Sequence, residues 1–398
     1  MTAFKADKDP NKMNLGVGAY RTDEGLPYIF KTVRKVEEEM LADPKLNKEY
    51  LPISGDPDFR TCAQRLLMGK NDERMTTVQS ISGTGALRLG AAFLRKFCPA
   101  RVYLPNPTWG NHPTIFEDAQ LETVKYPYYE PKTRLLNFEG MISSLNTAEP
   151  GAIILLHVCA HNPTGVDLNQ EQWKEVAKVM KERSLFPFFD NAYQGYATGD
   201  LDKDAYAVRL FADLGFQFVV AQSFAKNMGL YAERIGAIHI MSSSKEEAAR
   251  VLSQVNIIVR RMYSNPPVHG ARIVARILGS KANFDAWYDE LKEVSGRIIK
   301  MRALLRSELE ALETPGTWEH ITKQIGMFSF TGLTRKLFLL IVSSLGRSSH
   351  QQVPHLPAQE WTHLDGRHQH GKCVIPREVN QGCHYGHSFL IIKKKSNK

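Results

Sequence analysis

Ala152–His157 is apolar up to its last residue, and a second short run, Phe186–Phe189, follows one helical pattern later and ends against Asp190. A continuous apolar run of that length fits a strand buried on both faces, as strands of a parallel sheet are. Strand, helix, strand in this order implies neighbouring parallel strands joined by a right-handed crossover, with a site at their carboxyl edge. The intervening helix is opened by Asn169 and Gln172 as a capping box. Its Trp173, Val176, Ala177 and Met180 recur at helical spacing, so Trp173 reads as core.

Further runs extend the alternation. Thr76–Ile81 reads as a strand, and Ser82-Gly83-Thr84-Gly85 turns it into a helix with Ala86, Leu89, Ala92 and Phe93 on one face. A helix starting after such a turn presents free N–H groups to an anion, which makes Ser82, Gly83 and Thr84 phosphate candidates. It is no dinucleotide fingerprint, because Arg88 stands where the third glycine belongs. Arg101–Leu104 is a strand leading to Trp109, and Glu49–Ile53 is a loop broken by Pro52. Phe216–Ala221 and Ile235–Ile240 are strands enclosing Ser223 to Gly236. Ser244 with Glu247 caps a helix that reaches Arg260, Ala282 to about Leu312 is one long helix, and Ile325–Phe330 is a strand of a smaller domain.

Ser82, Trp109, Asn162, Asp190 and Lys226 each stand just beyond a predicted strand, and that recurrence points to one shared cleft. An amine held near other cations loses its proton easily and can form a Schiff base with an aldehyde, which suits Lys226. Ser223 and Arg234 could hold an anion beside it. An acid such as Asp190 facing a pyridine nitrogen would keep it protonated. Asn162 and Tyr193 can hydrogen-bond a phenolate oxygen, and Trp109 offers a ring face for stacking. Taken singly, Lys226 also reads as a loop lysine, Asp190 as a cap or ion-pair acid, and Trp109 as core.

The segment SFAKNMGLYAERIG, Ser223–Gly236, resembles the cofactor-lysine segment of aspartate aminotransferases, the fold-type I pyridoxal-phosphate enzymes, and the similarity runs from about Ala3 to about Leu333. That resemblance implies an α/β fold: a mostly parallel large-domain sheet flanked by helices, over residues 31–290, with a smaller α/β domain built from 1–30 and 291–333. It implies pyridoxal 5'-phosphate as cofactor, with Lys226 as its Schiff-base partner and later the proton shuttle. Ser82, Gly83, Thr84, Ser223 and Arg234 would form the phosphate cup, Asp190, Asn162 and Tyr193 the ring contacts, and Trp109 the stacking residue. Tyr50 would be lent to the phosphate by the neighbouring subunit of a homodimer. Arg260, also lent, would bind the substrate's distal carboxylate and so select aspartate and glutamate; Gly18 would add a backbone contact. The implied reaction is ping-pong transamination between L-aspartate and 2-oxoglutarate. A non-catalytic cofactor- or partner-binding paralogue and another dicarboxylic amino-acid transaminase remain as alternatives.

Beyond Leu333 the resemblance stops. The family continues with a helix, a Gly-Arg-Ile strand whose arginine clamps the substrate α-carboxylate, and a final helix; this chain has no such motif there. Ser295-Gly296-Arg297-Ile298 mimics it inside the long helix. Codons can be chosen for His355–Cys373 that, read one base later, give IYLPKNGRIWMAGINTGN, which is similar to the missing segment. We therefore expect the tail from about Thr334 to be an out-of-frame translation that packs poorly, and the start to lack an arm that relatives send to the partner subunit.

Charge concentrates in the same tail. The chain carries a net +9, of which residues 334–398 contribute +7 along with seven of the 13 histidines. The remainder is nearly balanced, giving no case for nucleic acid. No apolar run is long enough for a membrane span, and the first residues lack signal- or transit-peptide character. The five cysteines show no metal spacing and favour a reducing interior, cytoplasmic or mitochondrial matrix.

Overall fold

The computed structural model describes Ala6, Lys8 and residues 18–330. The expectations for the first residues and for everything from Thr331 onward, the out-of-frame tail included, lie outside these described residues.

In chain order the elements are α1 (Lys31–Ala42), α2 (Pro57–Met68), β1 (Met75–Ile81), α3 (Ser82–Phe97), β2 (Val102–Asn106), α4 (His112–Glu117), β3 (Thr123–Pro127), β4 (Tyr129–Glu130), β5 (Leu135–Leu136), α5 (Phe138–Thr147) and β6 (Ile153–His157). They continue as α6 (Gln170–Glu182), β7 (Phe186–Asn191), α7 (Leu201–Asp204), α8 (Tyr206–Asp213), β8 (Phe218–Ser223), β9 (Ile235–Met241), α9 (Lys245–Met262), α10 (His269–Gly279), α11 (Lys281–Ala311) and α12 (Glu319–Lys323). Both halves of the expected capping box on α6 are made, and Ser244 accepts from Glu247 N–H to cap α9.

The main sheet has strand order β1-β9-β8-β7-β6-β2-β3. β2, β3, β6, β7 and β8 run parallel, while β9 is antiparallel to both β1 and β8. The central strands are apolar throughout because helices cover both faces. Alternate residues serve opposite cores: Leu156, Phe189 and Val220 pack with Trp173 and Phe211 on one side. Leu155, Phe188 and Val219 pack with Ala86, Leu87 and Leu94 of α3 on the other. Ala86, Leu89 and Phe93 are buried as expected and Ala92 only partly, while Leu87, Ala91 and Leu94 are buried too, since α3 touches β8, β9 and α9 around its circumference. A third cluster joins α1, α2, α10 and α11 through Phe30, Val36, Phe59, Ile273 and Trp287.

One predicted element is absent. Ile325–Phe330 is not a strand, because its backbone groups are satisfied by other partners. Ile325 N–H donates to Gly165 O (2.8 Å), the Gln324 side chain bonds Phe330 at both N (2.8 Å) and O (3.0 Å), and the Arg302 guanidinium binds Gly326 O (2.9 Å) and Phe328 O. The long helix α11 forms as expected and runs unbroken through residue 290, where the sequence places a domain boundary.

The meeting of β1, β8 and β9 leaves no room for a side chain at Gly236. A Cβ there would lie 2.5 Å from Gln222 O and 2.6 Å from Ser82 C, both backbone atoms. Gly236→Ala is expected to lower stability by about 1–3 kcal/mol. Urea unfolding measures it, and an unchanged midpoint would contradict the close approach.

Candidate active site

Parallel strands deliver their carboxyl ends to one edge, and the sequence loads those ends with polar residues. β1 passes directly into α3, so Ser82, Gly83 and Thr84 form the first turn of that helix with their N–H groups free of intrahelical partners. β6 leads to Asn162, β7 carries Asp190 and leads to Tyr193, and β8 ends at Ser223 before Lys226. Arg234 reaches the same edge by a different route: it precedes β9, whose antiparallel direction brings its start alongside the ends of β1 and β8. Ser82, Gly83, Thr84, Trp109, Asn162, Asp190, Tyr193, Ser223, Lys226 and Arg234 thus line one cleft. A larger open groove between α1, residues 43–48 and the start of α10 carries the ion pairs Arg34–Glu37 and His269–Glu233 and has no hydroxyl side chain in its lining, so chemistry rather than size selects the cleft.

Two cleft residues adopt left-handed backbone, Ser82 (φ 59°) and Arg234 (φ 50°), a conformation unfavourable for side-chain-bearing residues and typical of functional turns. Ser82 Oγ lies 3.2 Å from Ser223 Oγ, and Ser223 Oγ accepts Ala225 N–H at 3.2 Å. Gly83 packs so near Ser223 that a Cβ would lie 3.0 Å from its Cβ. The result is two hydroxyls, a helix N-terminus and a guanidinium on one wall, a donor set suited to a dianion.

Lys226 Nζ stands 5.3 Å from the centre of the Tyr193 ring and forms no hydrogen bond among the described residues. Burial holds its pKa below the ordinary lysine value; Asp190 pulls upward and Arg234 downward. A lysine without hydrogen-bond partners among the described residues, biased toward the neutral amine, is available to a carbonyl. Tyr193 is 4% exposed; burial, then the charge of Asp190, raises its hydroxyl pKa, with the Asn162 side chain beside it acting the other way.

Asp190 is held by a residue the sequence reading missed. His112, fully buried at the start of α4, places Nε2 3.0 Å from Asp190 Oδ2 and Nδ1 2.7 Å from Thr108 Oγ1. His157 completes the chain, its Nε2 3.4 Å from Thr108 Oγ1 while its Nδ1 accepts Asn162 N–H at 3.2 Å. Burial and the neighbouring His112 push His157 down to about 3, so it is neutral, with its proton on Nε2. Every donor is then satisfied in one direction: His157 to Thr108, Thr108 to His112, His112 to Asp190. Burial acts to raise the Asp190 pKa, but the hydrogen bond donated by His112 and the groups around the carboxylate, Lys226 among them, outweigh it and leave it lowered. The carboxylate is therefore ionised and aimed into the cleft. The spacing Trp109-to-His112 was visible in the sequence, but nothing there says which acid the imidazole reaches. His112, His157 and Asp190 also lie close enough to hold a metal ion. The hydrogen-bond chain accounts for them without one.

Three expected site residues are not in this cleft. Gly18 lies against the Phe328 ring, 3.1 Å from a Cβ placed there. Tyr50 is 83% exposed. Arg260, exposed at the end of α9, bonds Ser264 Oγ at 2.5 Å and Asn265 Oδ1 at 3.4 Å. Asn265 in turn donates to Leu51 O at 2.7 Å, so Tyr50 and Arg260 share one patch of surface.

The profile of the family described as "Aminotransferase class I and II" matches residues 10–353. A protein of Oryza sativa subsp. japonica named "Aspartate aminotransferase, cytoplasmic" is 48% identical over 372 residues, covering 89% of this chain and 91% of that protein. "Aspartate aminotransferase P2, mitochondrial" of Lupinus angustifolius is 52% identical over 340 residues, 84% of this chain and 75% of its own. Among solved structures, an aromatic-amino-acid aminotransferase from Burkholderia pseudomallei, titled as covalently bound to pyridoxal phosphate, matches with a TM-score of 0.81 and 45% identity, covering 84% of each chain.

Proposed function

The chain belongs to the class I and II aminotransferases, and on that footing we propose that it is a pyridoxal-phosphate-dependent aspartate transaminase, passing the amino group of L-aspartate to 2-oxoglutarate. The observation that carries this reading is the Lys226 amine, without hydrogen-bond partners among the described residues and sharing one cleft with Asp190 and the donor wall of Ser82, Gly83, Thr84, Ser223 and Arg234. The wall fits a phosphate and the ionised Asp190 fits a pyridinium nitrogen, so the residues present suit the cofactor. Pyridoxal phosphate supplies an aldehyde that condenses with amines and a ring that takes up electrons.

The protein's part is positional and proton-handling. Lys226 Nζ would hold the cofactor's aldehyde carbon and would be the base that carries the substrate's α-proton across the cleft. Asp190, steadied by His112, keeps the ring nitrogen protonated. Asn162 and Tyr193 would hold the ring oxygen, and Trp109 would offer a stacking face, all three lining the cleft. In this reading Gly18 adds a backbone contact to substrate. Tyr50 and Arg260, exposed together on one patch, serve the cleft of a second copy, Tyr50 at the phosphate and Arg260 as the bidentate ligand of a distal carboxylate. The chain would then act as a homodimer whose dicarboxylic preference is set by Arg260. The division into residues 31–290 and a smaller domain of 1–30 and 291–333 belongs to the same proposal. So does residence in the cytoplasm or the mitochondrial matrix, which the relatives' names support without choosing between them. Arg234 is the single arginine lining the cleft among the described residues.

Loading the purified chain with pyridoxal phosphate and adding L-aspartate tests the reading. The visible band should appear and then bleach as oxaloacetate forms; a band indifferent to aspartate would overturn the substrate assignment. Tyr193→Phe removes a donor that favours the deprotonated chromophore, so the band's apparent pKa should rise by about 1–2 units. A pH titration of absorbance reads it, and an unchanged value would remove Tyr193 from the ring oxygen.

A further inference from the structure

Two carboxylates outside the cleft, Asp204 buried and Asp167 partly buried, gather backbone N–H groups from the two loops that enter it. After β6 the chain turns at Ala160, whose φ of 50° is unfavourable for a side-chain-bearing residue. Asp167 closes that turn, accepting Ala160 N–H at 2.5 Å and His161 N–H at 2.8 Å, immediately before Asn162. After β7 the chain runs from Tyr193 through Gly195 (φ 86°). Asp204, 3% exposed, accepts from Gly195 N–H (2.8 Å), Ala197 N–H (3.1 Å), Thr198 N–H (3.2 Å) and Thr198 Oγ–H (2.7 Å). Neither loop has slack on its other side. A Cβ on Gly326 would lie 2.5 Å from Ala160 Cβ, and one on Gly195 2.5 Å from Leu291 Cδ2.

Stability is a poor explanation for these two acids. Burial raises each to about 6, against the opposing pull of their hydrogen bonds. The folded value lies above the unfolded one, so the folded state binds more protons between about pH 4 and 6, stability falls as pH rises through that window, and the cost is fully present at neutral pH. What each carboxylate supplies in return is geometric: two oxygens, acceptors only, that fix several N–H groups in one arrangement.

We propose that Asp167 and Asp204 are positioning residues that hold the turns aiming Asn162 and Tyr193 at the same wall of the cleft, and through them set the proton affinity of the linkage at Lys226. The inference rests on the proposed role of Lys226 as the cofactor's amine. Neither aspartate touches cofactor or substrate. Replacing either with asparagine keeps the shape but swaps an acceptor oxygen for an amino group that faces N–H donors.

The test compares Asp167→Asn and Asp204→Asn with His239→Gln, a buried position bonded to Thr77 and Gln222 that does not line the cleft. In apo protein, hydrogen exchange at residues 160–161 or 195–198 should accelerate by about threefold to tenfold in the matching aspartate variant only. In protein loaded with pyridoxal phosphate, the chromophore's apparent pKa should rise by about half a unit or more in both aspartate variants, the sign set by weakened donation to the ring oxygen. His239→Gln should lower the thermal midpoint and leave that pKa in place. Should Asp204→Asn fail to fold, Thr198→Val deletes one of the four bonds and is expected to shift the chromophore less, in the same direction. Thermal destabilisation with an unmoved chromophore pKa would make both aspartates merely structural and overturn the proposal. A chain that never takes colour would overturn the Lys226 reading instead, and the exchange measurement would still judge the positioning: unchanged protection in the aspartate variants sinks it.

Discussion

Lys226→Ala should reduce turnover by roughly 10⁴-fold or more, because it removes both the nucleophile that holds the aldehyde and the base that moves the proton. Folding should survive. The side chain forms no hydrogen bond among the described residues, its nearest ring contact is Tyr193 at 5.3 Å, and burial opposes its charge, so deletion removes an electrostatic cost along with the amine. The phosphate wall is untouched, so the variant should still bind pyridoxal phosphate reversibly, with the free cofactor's spectrum, at an unchanged thermal midpoint. Steady-state oxaloacetate formation and the visible spectrum read the two effects separately. Retention of both turnover and the bound chromophore would place the chemistry elsewhere.

Asp190→Asn is the second large effect. The amide is nearly isosteric, and its oxygen can still accept from His112 Nε2, so the chain from Thr108 through His112 stays in place. What disappears is a negative charge preorganised in a poorly solvated site, and loss of one such group costs about 10²–10³-fold in turnover. The neighbour responds with a definite sign. Asp190 acts to raise the Lys226 pKa, so its neutralisation should lower that value further. Covalent attachment of cofactor would therefore persist while turnover fails. Turnover within about tenfold of the unsubstituted chain would deny Asp190 the ring-nitrogen role.

Much of the site was legible because a parallel sheet writes its functional edge into the sequence: an apolar run, then a polar residue. That pattern alone groups Ser82, Trp109, Asn162, Asp190 and Lys226, and the cleft contains all five. Arg234 escapes it. It precedes a strand, and reaches the same edge because β9 runs against its neighbours, a direction no local pattern encodes. His112 escapes it for another reason: its role is defined by a contact across 78 positions to Asp190. Among helices, α2 begins with the local signal Asp56-Pro57, the aspartate capping Phe59 N–H. α10 has no side-chain cap at Val268 and is helical through its buried face of Ala271, Ile273, Val274 and Ile277. Ile325–Phe330 has strand composition, yet side chains of Gln324 and Arg302 claim its backbone first. Tertiary partners decide such segments.

The direct test of the central claim is where the cofactor attaches. Protein loaded with pyridoxal phosphate is reduced with borohydride, digested, and searched by mass spectrometry for the pyridoxyl adduct. The geometry predicts one modified peptide, with the adduct on Lys226. No adduct, or an adduct on any other lysine, would contradict it.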